Sequence, residues 1–156
     1  LFRSHFLFNF LFATISCSIV VGAILERSRF LFSCIFSSCW LLVVYAPVAR
    51  WVWNVHGFLF SIGAVDFAGG IVVHITSGFS AILLAWLLGR RKDFFNLRTR
   101  YNYILMIIGL LFIFMGWIGF NAGSLYLFTN KTLAIILNTI LSALAASLSW
   151  VIIDFL

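Results

Sequence analysis

Charge is scarce in this chain: of 156 residues only 9% are charged, and only four of those are acidic. Soluble globular domains carry about 25% charged residues and about 45–50% apolar ones. Here 64% are hydrophobic and the mean hydropathy is +1.17. A body this small cannot bury so much apolar surface, which excludes a water-soluble enzyme. A disordered segment is excluded too, because such segments are poor in apolar residues. The bilayer is the solvent. Proline is nearly missing, with 1 residue against 11 glycines and 19 phenylalanines. That balance suits long apolar helices, which tolerate glycine and carry aromatics.

Cysteine is limited to Cys17, Cys34 and Cys39, all inside apolar runs and without CxxC or metal spacing, so packing is their expected role. His5, His56 and His74 share no ligand spacing. With no catalytic dyad, phosphate loop or metal cluster, no covalent chemistry and no cofactor are expected. A basic flank followed by an apolar core and a cleavage site, the mark of a signal peptide, does not occur. The chain opens at Leu1 and stops in apolar sequence at Leu156, and is expected to be a piece of a longer membrane protein. The net charge of +6 does not point to nucleic acid, because the basic residues lie in short connections and build no solvated face.

A spanning helix needs about 20 mostly apolar residues. Five stretches qualify: Phe6–Leu25, Phe30–Ala49, Phe67–Gly89, Tyr101–Gly123 and Thr132–Ile153. Alternating-strand patterning is absent, which argues against a barrel. The breaks fall at Glu26 to Arg29, at Pro47 to Gly57, at Gly89 to Asp93 and at Thr129 to Lys131. Residues 1–156 are expected to form a single transmembrane domain. Taking alternate loops, Arg27, Arg29, Arg90, Arg91, Lys92, Arg98 and Arg100 fall on one side, against Arg3, Arg50 and Lys131 on the other. Basic residues in short loops mark the cytoplasmic side, so the first residue is expected outside and the last inside.

Asp66 and His74 stand out, because ionisable residues within spans are costly and usually functional. The Asp66 carboxylate is placed to cap the free N–H groups opening the third span. His74 is eight residues further, about 12 Å deeper on a helical rise, near mid-membrane. There it either lines a polar path or is hydrogen-bonded to a neighbouring helix. Gly69 and Gly70 allow a close approach by another helix or a substrate. Phe12, Phe120, Trp51 and Trp53 fall at similar depth on the outer side. They form either an interfacial belt or a cation site, and composition does not separate these.

The run Asp66-Phe67-Ala68-Gly69-Gly70-Ile71-Val72-Val73-His74-Ile75 closely resembles DFAGGTVVHI, a signature of the ammonium transporter (Amt/Mep/Rh) family, with Ile71 where threonine is usual. Gly116 to Ser124 (GWIGFNAGS) resembles the family's GWFGFNAGS, and Glu26 to Phe30 (ERSRF) resembles ERxRF. Val44 to Ala49 with Trp51-Val52-Trp53 resembles the outer vestibule segment, and Leu137-Asn138-Thr139 with Ser149-Trp150 fits the span after GFNAGS. The DFAGG form is that of the Amt/Mep branch.

The resemblance implies an all-α integral membrane protein of eleven spans with inverted repeats, of which these are spans three to seven. It implies passage of ammonium or ammonia through an apolar pore in a cell membrane, without enzymatic activity. Trp53, Phe12 and Ser124 would form the outer ammonium site, with Trp51 a weaker candidate for the tryptophan. Phe12 and Phe120 would be the stacked gate below, and His74 the first of two pore histidines. Asp66 would be the carboxylate near the vestibule, and Asn9 stands where glutamine is frequent. A homotrimer and control by a P-II-type regulator are implied by family only, and an ammonium sensor of the same fold is the alternative.

Overall fold

The computed structural model describes residues 2–25, 27–90 and 102–155. Among them every regular element is helical, and five helices are long and apolar enough to cross a membrane. The chain divides into two compact units, Leu1–Leu97 and Arg98–Leu156. Each is described by itself.

In the first unit, α1 (Phe2–Ile24) is apolar nearly all round, so hydropathy does not mark its inner face. The buried residues do. Phe12, Ser16, Val20 and Ile24 recur every four residues and make one stripe, none more than 4% exposed. This stripe belongs to the most extensive helix pair of the unit, α1 against α5 (Thr76–Leu88), where Ser77 is fully buried and Val72 and Val73 lie just ahead of the helix. Ser16 and Ser77 enter the core without an unpaired donor, because each hydroxyl donates to a carbonyl four residues back, Phe12 O and Val73 O.

The second apolar run does not break at Pro47. Helix α2 (Phe30–Trp40) passes into a π-helical segment, Leu41–Tyr45, and then into α3 (Ala46–Trp53). The expected boundary at Ala49 is therefore too early. Proline normally clashes with the carbonyl four residues back and removes a donor. Here the ladder is already widened, since Ala46 N–H donates to Leu41 O, and Pro47 falls in the first turn of α3, where no donor is needed. The helix ends instead at Asn54, whose carbonyl accepts Gly57 N–H at 2.7 Å and whose Oδ1 accepts His56 N–H at 2.9 Å. The short α4 (Phe58–Ser61) follows.

Arg27, at the turn between α1 and α2, reaches the far end of α5. Its Nη1 donates to Gly89 O at 2.8 Å and to Ala85 O at 3.4 Å. A cation on the unsatisfied carbonyls at a helix C-terminus is favourable both as hydrogen bonding and against the helix dipole.

The second unit is a pair of apolar helices in contact, α6 (Tyr103–Gly123) and α7 (Asn130–Asp154). Asn102 Oδ1 accepts Leu105 N–H at 3.2 Å to open α6. Thr129 and Thr132 cap α7 reciprocally. Between the helices Asn121 Nδ2 donates to Thr139 Oγ1 at 2.9 Å, and Thr139 is only 8% exposed.

Candidate functional site

The third apolar run begins with a turn rather than a helix, and Asp66 organises it. Its Oδ1 accepts the N–H groups of Gly69 at 2.6 Å and Gly70 at 2.8 Å. Its Oδ2 accepts those of Ile71 and Val72, both at 2.8 Å. The first helical bonds then start from Gly69 O, which accepts from Val73 and His74. One carboxylate thus satisfies the donors that a helix start leaves free. Hydrogen bonds to a charged group are worth about 1.5–3 kcal/mol each, though neighbouring ones do not add fully. Asp66 is the cap anticipated above, and both of its oxygens are engaged.

Gly69 makes the turn possible. Its φ of +94° lies in the left-handed region. A Cβ there would stand 2.7 Å from Val73 Cγ2 and 3.1 Å from Phe12 Cε1. Phe12 on α1 is therefore pressed against this turn and is 4% exposed. Its ring meets Phe8 edge-on at 5.0 Å and Trp53 edge-on at 5.2 Å. Trp53, at the end of α3, donates its indole N–H to Asp66 O at 3.0 Å. Three residues singled out from the sequence, Phe12, Trp53 and Asp66, thus meet in one cluster built from α1, α3 and the turn. Trp53 stays partly exposed, so the cluster has an aromatic surface that a cation could meet.

Trp51 behaves differently. It is 46% exposed and touches Phe58 edge-on at 6.5 Å, away from the Asp66 hydrogen bonds. Gly57 lies so close to this turn that a Cβ would collide with the Arg50 and Trp51 carbonyls.

His74 follows Asp66 on a π-helical segment, Gly70–Ile75, which continues as α5. The rise expected between the two assumed helix throughout. Helix begins only at Gly70, because the Gly69 turn intervenes. His74 consequently stands about one turn, roughly 6 Å, past the start of the run Gly70–Leu88. It is partly buried.

Phe120 and Ser124 belong to the second unit, at the end of α6. Ser124 Oγ donates to Phe120 O at 3.1 Å, which leaves its lone pairs available to accept an N–H. Asn121, between them, ties this end to α7 through Thr139. Sequence reasoning read Asn121 only as one letter of a motif. Its amide and the Thr139 hydroxyl are the signal that was available.

Comparison with known proteins decides the family. The model of the Ammonium Transporter Family matches residues 1–156. The chain belongs to the Ammonium Transporter Family. It is 39% identical over 150 residues to the Ammonium transporter of Bacillus subtilis, covering 96% of this chain. It is 36% identical over 151 residues to Ammonium transporter Amt1 of Archaeoglobus fulgidus, again over 96% of the chain. Against Ammonium transporter MEP2 of Saccharomyces cerevisiae it is 34% identical over 150 residues, or 93% of the chain. The chain spans 37%, 38% and 30% of the lengths of these three relatives. No solved structure gives a significant match.

As a member of the Ammonium Transporter Family, the chain departs from the DFAGGTVVHI pattern at Ile71, and the geometry shows why the cap survives. Ile71 contributes its backbone N–H to Asp66, and any residue but proline supplies that donor. In the ERSRF segment, Arg27 is the α5-capping cation, while Glu26 lies outside the described residues. So does the basic segment from Arg91 to Arg100 on which the orientation largely rests.

Proposed function

We propose that this chain is part of a protein that moves ammonium or ammonia across a membrane, recruiting the cation at Trp53, Phe12 and Ser124. Phe12 and Phe120 act as the gate, His74 lines the path below, and Asp66 orders the entrance. The observation that carries the reading is the Asp66-centred cluster. In a chain of this family, it sets a partly open tryptophan beside Phe12 at the head of the helix that bears His74.

The chemistry follows from what separates ammonium from other small cations. Charge is costly in an apolar pore, and ammonium differs from an alkali ion of similar size by its N–H donors and its acidic proton. Aromatic surface attracts the charge, and the Ser124 hydroxyl accepts an N–H. Desolvation further in favours the neutral form. The imidazole of His74 offers the departing proton an acceptor. Asp66 has its oxygens turned to four backbone donors, so its part is to fix the turn and the Trp53 indole rather than to bind the cation.

In this proposal the protein sits in the cell membrane with residue 1 outside and residue 156 cytoplasmic. A homotrimer and a P-II-type regulator are further expectations of the same kind.

Trp53→Leu tests recruitment, because it keeps an apolar side chain but removes the ring. The half-saturation concentration for ammonium uptake should rise about five- to thirtyfold, as expected for ~1–2 kcal/mol of lost cation–ring attraction. Trp51→Leu should be nearly silent. Uptake assays at graded ammonium, with melting curves alongside, decide it. Equal effects at both positions would return Trp53 to an interfacial belt.

A further inference from the structure

We infer that Trp40 and Ser80 are positioning residues for His74, acting through the hydrogen bond between them. The inference rests on the transport reading above and adds to it two residues that no motif contains.

His74 lies in a π-helical segment, and such widened turns within membrane helices leave carbonyls out of register with the usual donors. Where the segment returns to α-helix, side-chain hydroxyls take up the slack. Thr76 Oγ1 donates to Ile71 O at 3.0 Å, five residues back, and Ser77 Oγ donates to Val73 O. Ser80 Oγ donates to Thr76 O at 2.8 Å. The backbone on both sides of His74 is thereby held by three hydroxyls in succession.

Ser80 does more than close this ladder. Its oxygen also accepts the Trp40 indole N–H at 3.0 Å from another helix. Trp40 is 5% exposed, and it is the last residue of α2 before the other π-helical segment, Leu41–Tyr45. One hydrogen bond therefore joins the two helical runs, at the α-to-π junction of one and just past the π-to-α junction of the other. The π segment carrying His74 has Asp66 fixing its start and the Trp40–Ser80–Thr76 chain fixing its end. Releasing the second anchor lets residues 70–75 relax toward ordinary α-helix, which turns the imidazole to a different bearing on the helix.

The test uses the complete protein in liposomes, measuring ammonium flux, half-saturation, assembled amount and melting temperature. Ser80→Ala and Trp40→Phe each remove one side of the bond and keep the packing. Each should lower maximal flux about two- to tenfold, as the loss of one part-buried hydrogen bond implies. Half-saturation and assembled amount should stay at the parent values. Ser80→Thr should restore flux. In a His74→Ala background Ser80→Ala should be silent, because its effect passes through the imidazole. Parent-like flux in both single variants, an undiminished Ser80→Ala effect in the His74→Ala background, or loss confined to assembled protein would each overturn the inference. A His74→Ala protein with unaltered flux and selectivity would overturn this inference and the transport role of His74 together. An altered His74→Ala protein beside a silent Ser80→Ala removes this inference alone.

Discussion

Asp66→Ala is expected to remove most of the folded protein. The substitution strips the acceptors from four backbone N–H groups at once, at a helix start that has no other side-chain cap. It also removes the negative charge that complements the helix dipole. A bond to a carboxylate is worth about 1.5–3 kcal/mol, and allowing for incomplete additivity the loss is about 3–6 kcal/mol, a large share of a marginal stability. Asp66→Asn separates the parts of this effect. Its single carbonyl oxygen can serve about half of the donors and carries no charge, so about half of the loss should remain. Thermal unfolding in detergent, with the assembled fraction measured by size-exclusion chromatography, reads both. An Asp66→Ala protein of parental stability would show that this cap is not what holds the turn.

Gly69→Ala should be the next most damaging single change. The added methyl meets Val73 Cγ2 at 2.7 Å and Phe12 Cε1 at 3.1 Å. The backbone must also keep a φ of +94°, which costs an L-residue about 1–2 kcal/mol. Overpacking adds about 1–3 kcal/mol, so the sum is about 2–5 kcal/mol. Part of the strain can be relieved by pushing Phe12 away from the turn, and this links stability to the aromatic cluster: a surviving Gly69→Ala protein should bind ammonium more weakly. Gly70→Ala is the control. A Cβ there meets nothing within 4 Å, the φ is not in the left-handed region, and the N–H bonded to Asp66 is retained. Its expected effect is under about 1 kcal/mol, with either sign. Unfolding curves of the two variants should therefore separate clearly, and coincident curves would contradict the geometry.

The five apolar runs were legible because a lipid-facing helix must be apolar over its whole length, and nothing subtler is needed to find it. The cap was legible too, since Asp66 stands directly before a glycine pair and an apolar run, and a carboxylate there has an obvious use. What escaped was whatever depends on hydrogen-bond register. The two π-helical segments have no hydropathy signature, so Pro47 read as a break although the widened turn before it accommodates the ring. The same blindness treated the stretch from Asp66 to His74 as helix throughout, because a fixed rise per residue cannot see the left-handed turn at Gly69. Long-range polar ties were equally hidden. Arg27 read as a topology marker, yet its guanidinium caps α5 some sixty residues on. Trp40 and Ser80 read as ordinary span residues, and Asn121 as part of a motif string. Each depends on which helix lies alongside, and apolar composition is silent on that point.

The most direct measurement is ammonium flux through the complete protein reconstituted in liposomes, with and without the His74 imidazole. The account predicts saturable, ammonium-selective flux in the parent. It predicts a His74→Ala protein that assembles normally but conducts at an altered rate or admits other monovalent cations, because the polar path is interrupted. A His74→Ala protein that assembles and matches the parent in both rate and selectivity would contradict it.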